Sequence, residues 1–292
     1  MKKIGIVTEE TVDLSQEIIE KHQIGIIPVK LDWPEIENLP GENTFQKMRE
    51  LEKRGIKSFG KTSQPSPKDF LDKFRSQLEK FDNIICITVS SKLSGSHNSA
   101  IQAKTFLSPE DQGKIWILDS LNISGSQALI ILKAIDLIES GKNIEEIVSE
   151  LERFISQVHL YVMFEDPKWI EASGRISHLM AGLLRRMISL GIRSVTVLKK
   201  GALVPGGMKT NAKDISIALF RYFEKETKKT REKGKGIRVV ITHGDDLAGA
   251  QRLKEMIEKE FKNTEVVFMN IINNVVGAPA GPNALTLAWC EK

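Results

Sequence analysis

Two clusters of hydroxyl side chains are the residues of this sequence best suited to bind an anion. The first follows the apolar run at residues 84–89 and comprises Ser90, Ser91, Ser94 and Ser96. The second, Thr62 and Ser63, precedes a turn that two prolines stiffen, and it is predicted as a fixed loop. Hydroxyl and backbone N–H groups where a strand ends and a helix begins donate hydrogen bonds to phosphate or carboxylate. The two clusters therefore predict a site for an anionic head group.

Catalysis by these serines is a second interpretation. Ser94 stands three residues before His97, but neighbours on a turn rarely point at each other, and Lys92 occupies the position where a nucleophile elbow has glycine. Ligand hydrogen bonding by Ser94 is therefore favoured over hydrolysis. An enzyme of phosphoryl transfer or hydrolysis that uses the serine loops with Asp119 or Asp245 stays open as the alternative.

Arg175 and the segment 277–284 are two further candidates for contact with a ligand. Arg175 follows a short helical stretch that Gly174 ends, and its fork of donors suits carboxylate or phosphate, with a surface ion pair as the alternative. Residues 277–284 are rich in Gly, Ala and Pro and are predicted as a small rigid loop. Gly281 in that loop would let the backbone approach a ligand, with a tight structural turn as the alternative.

The composition limits the classes of function. The 292 residues are 41% apolar and 27% charged, enough for a substantial core and two domains, at residues 1–157 and 158–292. A net charge of +4 is too small to indicate a nucleic-acid partner, and the charged stretch 225–238 is interpreted as a solvated helix face. No apolar run reaches the roughly 20 residues of a membrane span, and no secretory signal is recognisable, so a cytoplasmic location is expected.

No metal or cofactor is expected either. Cys86 and Cys290 are far apart, and the five histidines form no pair with metal-ligand spacing. The sequence also lacks the glycine motifs that bind nucleotide phosphates.

Alternating apolar and amphipathic segments predict an α/β fold. In the first half, strands are expected at residues 4–7, 24–29, 84–89 and 115–118, with helices at 15–22, 45–53, 67–78, 96–106, 124–140 and 143–157. This order predicts a parallel, helix-covered sheet. In the second half, strands at 158–164, 195–198, 202–204, 239–242 and 266–269 and a helix at 247–261, capped by Asp245 or Asp246, predict a mixed sheet that includes a hairpin.

Taken in order, several segments resemble the DegV family, and the resemblance spans nearly the whole chain. These segments are residues 6–14, 62–66, 90–95, 118–120, 174–177, 203–205 and 281–285. The most specific is Thr62-Ser63-Gln64-Pro65-Ser66. The best understood members of that family are the fatty-acid-binding subunits of bacterial fatty acid kinase. The resemblance therefore implies a two-domain DegV-like fold and a lipid-binding role that is not enzymatic.

In that family a long-chain fatty acid lies between the domains, with its tail in an apolar tunnel. The resemblance implies that Thr62 and Ser94 bind the carboxylate and that Arg175 belongs to the surrounding hydrogen-bond network. The remaining implied ligand-binding residues are Ser63, Gly95, Ser96 and Gly281. A tail of palmitate length, about fourteen methylenes at ~0.8 kcal/mol each, would contribute roughly 11 kcal/mol before the costs of association.

Two departures from the family pattern bear on a kinase partner. Pro279 stands where kinase-partner members usually carry histidine, and Lys209 is the cation available where an arginine is common. Lys209 can supply charge at a partner contact but not bidentate geometry. One hypothesis is presentation of the fatty acid to a fatty acid kinase catalytic subunit for acyl-phosphate formation, with transient membrane contact. The other is a lipid sensor that regulates a partner protein.

Overall fold

The computed structural model describes residues 3–209 and 214–292. Within this part, the chain forms two compact units. Unit 1 comprises residues 3–30, 63–158 and 200–202, and unit 2 comprises residues 31–62, 159–199, 203–209 and 214–292. One passage between the units follows Val158, close to the sequence-based boundary after residue 157, whereas residues 31–62 group with unit 2.

Strands and helices alternate along much of the chain. The strands are β1 (Ile4–Glu9), β2 (Gly25–Ile27), β3 (Lys30–Asp32), β4 (Lys61–Ser63), β5 (Asn83–Thr88), β6 (Ile115–Asp119), β7 (His159–Met163), β8 (Arg193–Lys199), β9 (Ala202–Lys209), β10 (Ile237–His243), β11 (Thr264–Ile271) and β12 (Leu285–Glu291). The helices are α1 (Gln16–Lys21), α2 (Pro34–Glu37), α3 (Thr44–Lys53), α4 (Pro67–Leu78), α5 (Ser96–Thr105), α6 (Pro109–Gln112), α7 (Ser124–Glu139), α8 (Ile144–Ile155), α9 (Lys168–Ala172), α10 (His178–Ser189), α11 (Ile215–Glu232), α12 (Leu247–Glu260) and α13 (Asn274–Ala280).

Unit 1 contains a parallel sheet in the order β2-β1-β5-β6. The central strand β5 is buried at every position, which explains its nearly unbroken apolar run. Phe70 and Phe74 of α4 pack with Val7 and Cys86 on one face of the sheet. On α7, Gln127 donates to the Ile87 carbonyl oxygen. The predicted parallel, helix-covered sheet is confirmed.

Unit 2 contains a mixed sheet in the order β11-β10-β12-β7-β8-β9. Strand β10 is parallel to β11 and antiparallel to β12, which is itself antiparallel to β7. Helices α11 and α12 bury Phe223 and Leu253 against Val239 and Leu287. The hairpin β8–β9 turns at residues 200–201 with φ values of +50° and +82°, both positive as in the tight turns that match strand twist. The predicted mixed sheet and hairpin are confirmed.

Two local predictions were wrong. Thr62 and Ser63 lie in strand β4, which pairs with β3, rather than in a loop. The start of the predicted loop 277–284 is helical, because residues 277–280 belong to α13. Asn273 caps this helix by accepting from two backbone N–H groups, so a start signal outside the glycine- and proline-rich run decides its structure.

Candidate functional site

The serine loop of unit 1 places two hydroxyl groups beside each other. Ser94 lies between β5 and α5, Ser96 is the first residue of α5, and their Oγ atoms are 2.9 Å apart. The Ser96 backbone N–H also donates to Ser94 Oγ at 3.3 Å. The Ser94 N–H donates to the Ser90 carbonyl oxygen at 3.1 Å, which holds the turn after β5. Ser94 is half-buried, whereas Ser96 is buried, so Ser94 is the more accessible of the pair.

Because Gly95 has no side chain, the side chain of Gln64, which follows Thr62 and Ser63, can pack against it. A Cβ atom on Gly95 would lie 1.9 Å from Gln64 Oε1, and Gln64 Nε2 donates to Ser99 Oγ at 3.1 Å. The segment that begins at Ser63 therefore packs across the serine loop within unit 1. Two segments that the sequence predicted to share a site are in contact through Gln64.

Arg175 and Thr62 meet within unit 2. Gly174, with φ +73°, ends the short helix α9, as predicted, and Arg175 follows it. The Arg175 Nη2 atom donates to Thr62 Oγ1 at 2.9 Å. Among the residues described, no carboxylate forms an ion pair with Arg175. The alternative of a surface ion pair thus finds no partner there, and guanidinium donors remain for an anion.

Partial burial defines the electrostatic state of this arginine. The Arg175 side chain is half-buried, and desolvation lowers its pKa. Desolvation of a cation without an acidic partner costs free energy, which a bound anion would offset. The Arg175–Thr62 pair is therefore suited to a carboxylate or phosphate group.

A buried acid near the serine loop was not assigned a role from the sequence. Glu9, the last residue of β1, is 0% exposed, and its Oε2 accepts from the Val89 N–H at 3.0 Å. Burial raises its pKa from 4.5 to about 7, against smaller opposing effects of the Val89 N–H and the Ser96 hydroxyl. An acidic residue at the carboxyl end of a parallel strand was the available sequence signal, but its burial depends on distant residues.

Two side chains proposed for binding or catalysis have structural partners instead. Ser90 is fully buried and donates to the Gly201 carbonyl oxygen at 2.7 Å, so its hydroxyl does not serve an exposed anion. His97 Nδ1 lies 3.1 Å from Thr88 Oγ1, and Ser94 is hydrogen-bonded to Ser96. These bonds favour a binding loop over a serine–histidine pair.

The two aspartates considered for catalysis, Asp119 and Asp245, also have hydrogen-bond or ion-pair partners within the protein. Asp119 Oδ1 accepts from the backbone N–H groups of Ser91 and Leu121, at 3.1 and 3.0 Å. Asp245 forms an ion pair with Arg49. Asp246 accepts from the Gly249 N–H and caps α12, as one of the two predicted alternatives. These partners weaken the alternative of an enzyme that uses Asp119 or Asp245.

Gly281 and Lys209 are the remaining residues predicted to contact a ligand or a partner. Gly281 follows α13 with φ +83° and ψ 164°, and a Cβ atom there would lie 2.3 Å from Trp169 Cδ1. Backbone conformation and packing thus both favour glycine at this position. Lys209 ends β9, but its side chain and the predicted partner contact lie outside the described residues.

Residues 3–209 and 214–292 contain no group of three or more His, Cys, Asp or Glu side chains arranged to hold a metal ion. Among the helices of the same residues, none has the length and hydropathy needed to cross a membrane.

Known proteins resemble this chain along its length. A family model described as "Uncharacterised protein, DegV family" matches residues 3–292. A DegV domain-containing protein of Clostridium acetobutylicum is 32% identical, with 100% of each chain covered. The solved structure of a DegV family protein from Thermus thermophilus, described for fatty acid binding, has a TM-score of 0.83 at 23% identity and covers 99% of this chain and 100% of that one. A stearic-acid-binding protein from Eubacterium ventriosum has a TM-score of 0.79 at 25% identity, with 100% and 99% covered.

Proposed function

The chain belongs to the DegV family, and from this premise we propose that it binds a long-chain fatty acid whose carboxylate accepts hydrogen bonds from Thr62, Ser94 and Arg175. The observation that carries the proposal is the half-buried Arg175 guanidinium, hydrogen-bonded to Thr62 and without an acidic partner among the described residues. Solved relatives named for fatty acid binding support the class of ligand.

The tail and the carboxylate of the fatty acid contribute differently to binding. Burial of methylene groups at ~0.8 kcal/mol each dominates the affinity. Hydrogen bonds to a charged carboxylate contribute about 1.5–3 kcal/mol each, enough to orient the ligand and to select against neutral lipids. The protein binds and orients the acid, and none of the proposed contacts performs a chemical step.

Replacing Ser94 with alanine is expected to weaken palmitate binding about tenfold, because one hydrogen bond to the carboxylate is lost while the tail contacts remain. Titration calorimetry gives the affinity, and native mass spectrometry shows whether an acyl chain is bound at all. Ser156→Ala, an exposed serine at the end of α8, is the control. Equal affinity of Ser94→Ala and wild type would remove Ser94 from the site, and failure of wild type to bind any acyl chain would overturn the proposed function.

Replacing Arg175 with glutamine is expected to reduce the preference for palmitate over 1-hexadecanol by about ten- to thirtyfold. The two ligands have the same tail length, so the ratio of their dissociation constants isolates the head group. Glutamine retains hydrogen-bond donors but lacks the charge that favours a carboxylate. A ratio unchanged from that of wild type would show that Arg175 does not contact the acid.

We propose that the protein acquires the fatty acid through transient membrane contact. It then presents the bound acid to a fatty acid kinase. Pro279, buried within α13, cannot donate a proton or a hydrogen bond where kinase-partner relatives carry histidine. Incubation with palmitate, ATP and a fatty acid kinase catalytic subunit tests this use, because acyl phosphate forms only if the acid is presented. Binding without turnover would support a lipid sensor instead. A cytoplasmic location remains part of the proposal.

A further inference from the structure

We propose that Asp119 is a positioning residue for Ser94. Its carboxylate fixes the peptide group between Ser90 and Ser91, and that peptide group holds the backbone of Ser94. This inference rests on the proposed function, because it explains how Ser94 is presented to the carboxylate of the ligand. In this role Asp119 acts through the serine loop and not on the ligand.

The segments that follow β5 and β6 are joined by hydrogen bonds beyond the ends of the two strands. The Ser90 N–H donates to the Asn122 carbonyl oxygen at 2.9 Å. The Ser91 N–H donates to Asp119 Oδ1 at 3.1 Å. Of these two bonds, the one from Ser91 depends on a side chain, so a substitution at Asp119 can remove it.

The bond from Ser91 and the turn that carries Ser94 share one peptide group. The Ser90 carbonyl oxygen accepts from the N–H groups of Leu93 and Ser94, at 2.9 and 3.1 Å. This carbonyl and the Ser91 N–H belong to the same planar trans peptide, so they point in opposite directions and rotate together. Because Asp119 holds the N–H side, it also fixes the direction of the carbonyl that holds Ser94.

Backbone strain is present in the same segment. Leu121 has φ +48°, a left-handed conformation that costs free energy for a leucine. Its N–H donates to Asp119 Oδ1 at 3.0 Å, so one oxygen atom holds both the strained residue and the serine loop. Strained conformations persist where surrounding contacts enforce them, and they cluster at active and binding sites. The strain at Leu121 therefore supports a role in binding for this segment.

The contacts of the Asp119 carboxylate predict which substitution preserves them. Its Oδ1 accepts both N–H bonds, whereas its Oδ2 has no hydrogen-bond partner among the described residues. Asparagine can place its carbonyl oxygen at the Oδ1 position and its amide nitrogen at the Oδ2 position, which keeps both bonds and removes the charge. Alanine removes the acceptor. The two variants therefore separate positioning, which needs the oxygen atom, from proton transfer, which needs the carboxylate.

The dissociation constants of palmitate and 1-hexadecanol test this inference, because the two ligands share the tail length and differ in the head group. Asp119→Ala is expected to reduce the preference for palmitate by about five- to tenfold, because a misplaced Ser94 hydroxyl loses its hydrogen bond to the charged group. Asp119→Asn is expected to restore most of the lost preference. Titration calorimetry gives both dissociation constants for each variant.

A double-variant cycle shows whether Asp119 acts through Ser94. If it does, Asp119→Ala changes the palmitate affinity by less than about twofold in a Ser94→Ala background. Asp82→Ala is the matched control, because Asp82 Oδ2 accepts from the Lys3 N–H at 2.7 Å directly before β5, at the end of that strand away from the serine loop. Its loss is expected to leave the preference for palmitate unchanged.

Amide hydrogen exchange of wild type provides a measurement that requires no variant to fold. We expect the Ser91 amide, resolved by NMR, to exchange roughly tenfold or more slowly than an unprotected amide, because Asp119 accepts its hydrogen. Exchange at the unprotected rate would overturn the role of Asp119.

The outcomes distinguish this inference from the proposed function. Failure of wild type to bind palmitate would overturn the proposed function, whatever the exchange rate of the Ser91 amide. Binding by wild type with an unchanged preference in Asp119→Ala would overturn the role of Asp119 alone. Equal effects of Asp119→Ala in the wild-type and Ser94→Ala backgrounds would do the same, as would a preference as low in Asp119→Asn as in Asp119→Ala.

Discussion

Gly281→Ala is expected to lower the free energy of unfolding by about 2–5 kcal/mol. Gly281 has φ +83° and ψ 164°, a region that residues with a Cβ atom essentially do not occupy, at a cost of about 1–3 kcal/mol. The added Cβ would also lie 2.3 Å from Cδ1 of Trp169, which is only 4% exposed. Overpacking of a well-packed side chain costs a further 1–3 kcal/mol or so.

Urea unfolding followed by circular dichroism measures this loss, and Gly174→Ala is the matched control. Gly174 also has a positive φ, +73°, but its Cβ position has no atom within 4 Å. We expect a loss of only about 1 kcal/mol there, from the backbone alone. The cost of Gly281→Ala is expected to shrink in a Trp169→Leu background, because the clash is removed. Equal losses at Gly281 and Gly174 would contradict the role assigned to Trp169.

Glu9→Gln is expected to gain stability relative to wild type as the pH rises. The pKa of Glu9 is raised from 4.5 to about 7 by burial, and each unit is worth 1.36 kcal/mol, so the full effect is roughly 3 kcal/mol. Below pH 4.5 the group is protonated in the folded and unfolded states. As the pH rises from 4.5 to 7, the unfolded chain releases this proton first, and wild type loses stability.

The measurement is the difference in unfolding free energy between Glu9→Gln and wild type at pH 5 and pH 8. We expect this difference to change by roughly 2–3 kcal/mol in favour of the variant, because glutamine has no proton to lose. Glu10→Gln, one residue away and partly exposed, is the control and is expected to show a smaller change. An unfolding difference for Glu9→Gln that is constant with pH would contradict a raised pKa.

Much of the fold could be predicted because its signals are local. The nearly unbroken apolar run of β5 identified a buried strand, and Gly174 marked the end of α9. Lys200 and Gly201 join two apolar segments and were correctly predicted as a hairpin turn. α13 was missed, because glycine and proline within residues 277–281 outweighed the cap signal of Asn273.

The candidate site depends both on local sequence patterns and on contacts that only the tertiary structure shows. The residue types and their spacing identified Thr62, Ser94 and Arg175, and their order along the chain identified the DegV family. Whether Arg175 had an acidic partner could not be read from spacing. The structure resolves this for the described residues, since Arg175 bonds a threonine 113 positions away.

The sequence by itself determined many of the strands and helices, the family and the chemical types available to bind an acid. Tertiary structure alone decided their states: the burial and raised pKa of Glu9, the partners that occupy Ser90, Asp119 and Asp245, and the contact of Gln64 with Gly95. The physical reason is the separation along the chain between the residues that produce each effect. Propensities and caps depend on neighbours within a few residues, whereas desolvation and hydrogen bonding depend on groups such as the Val89 N–H, 80 positions from Glu9.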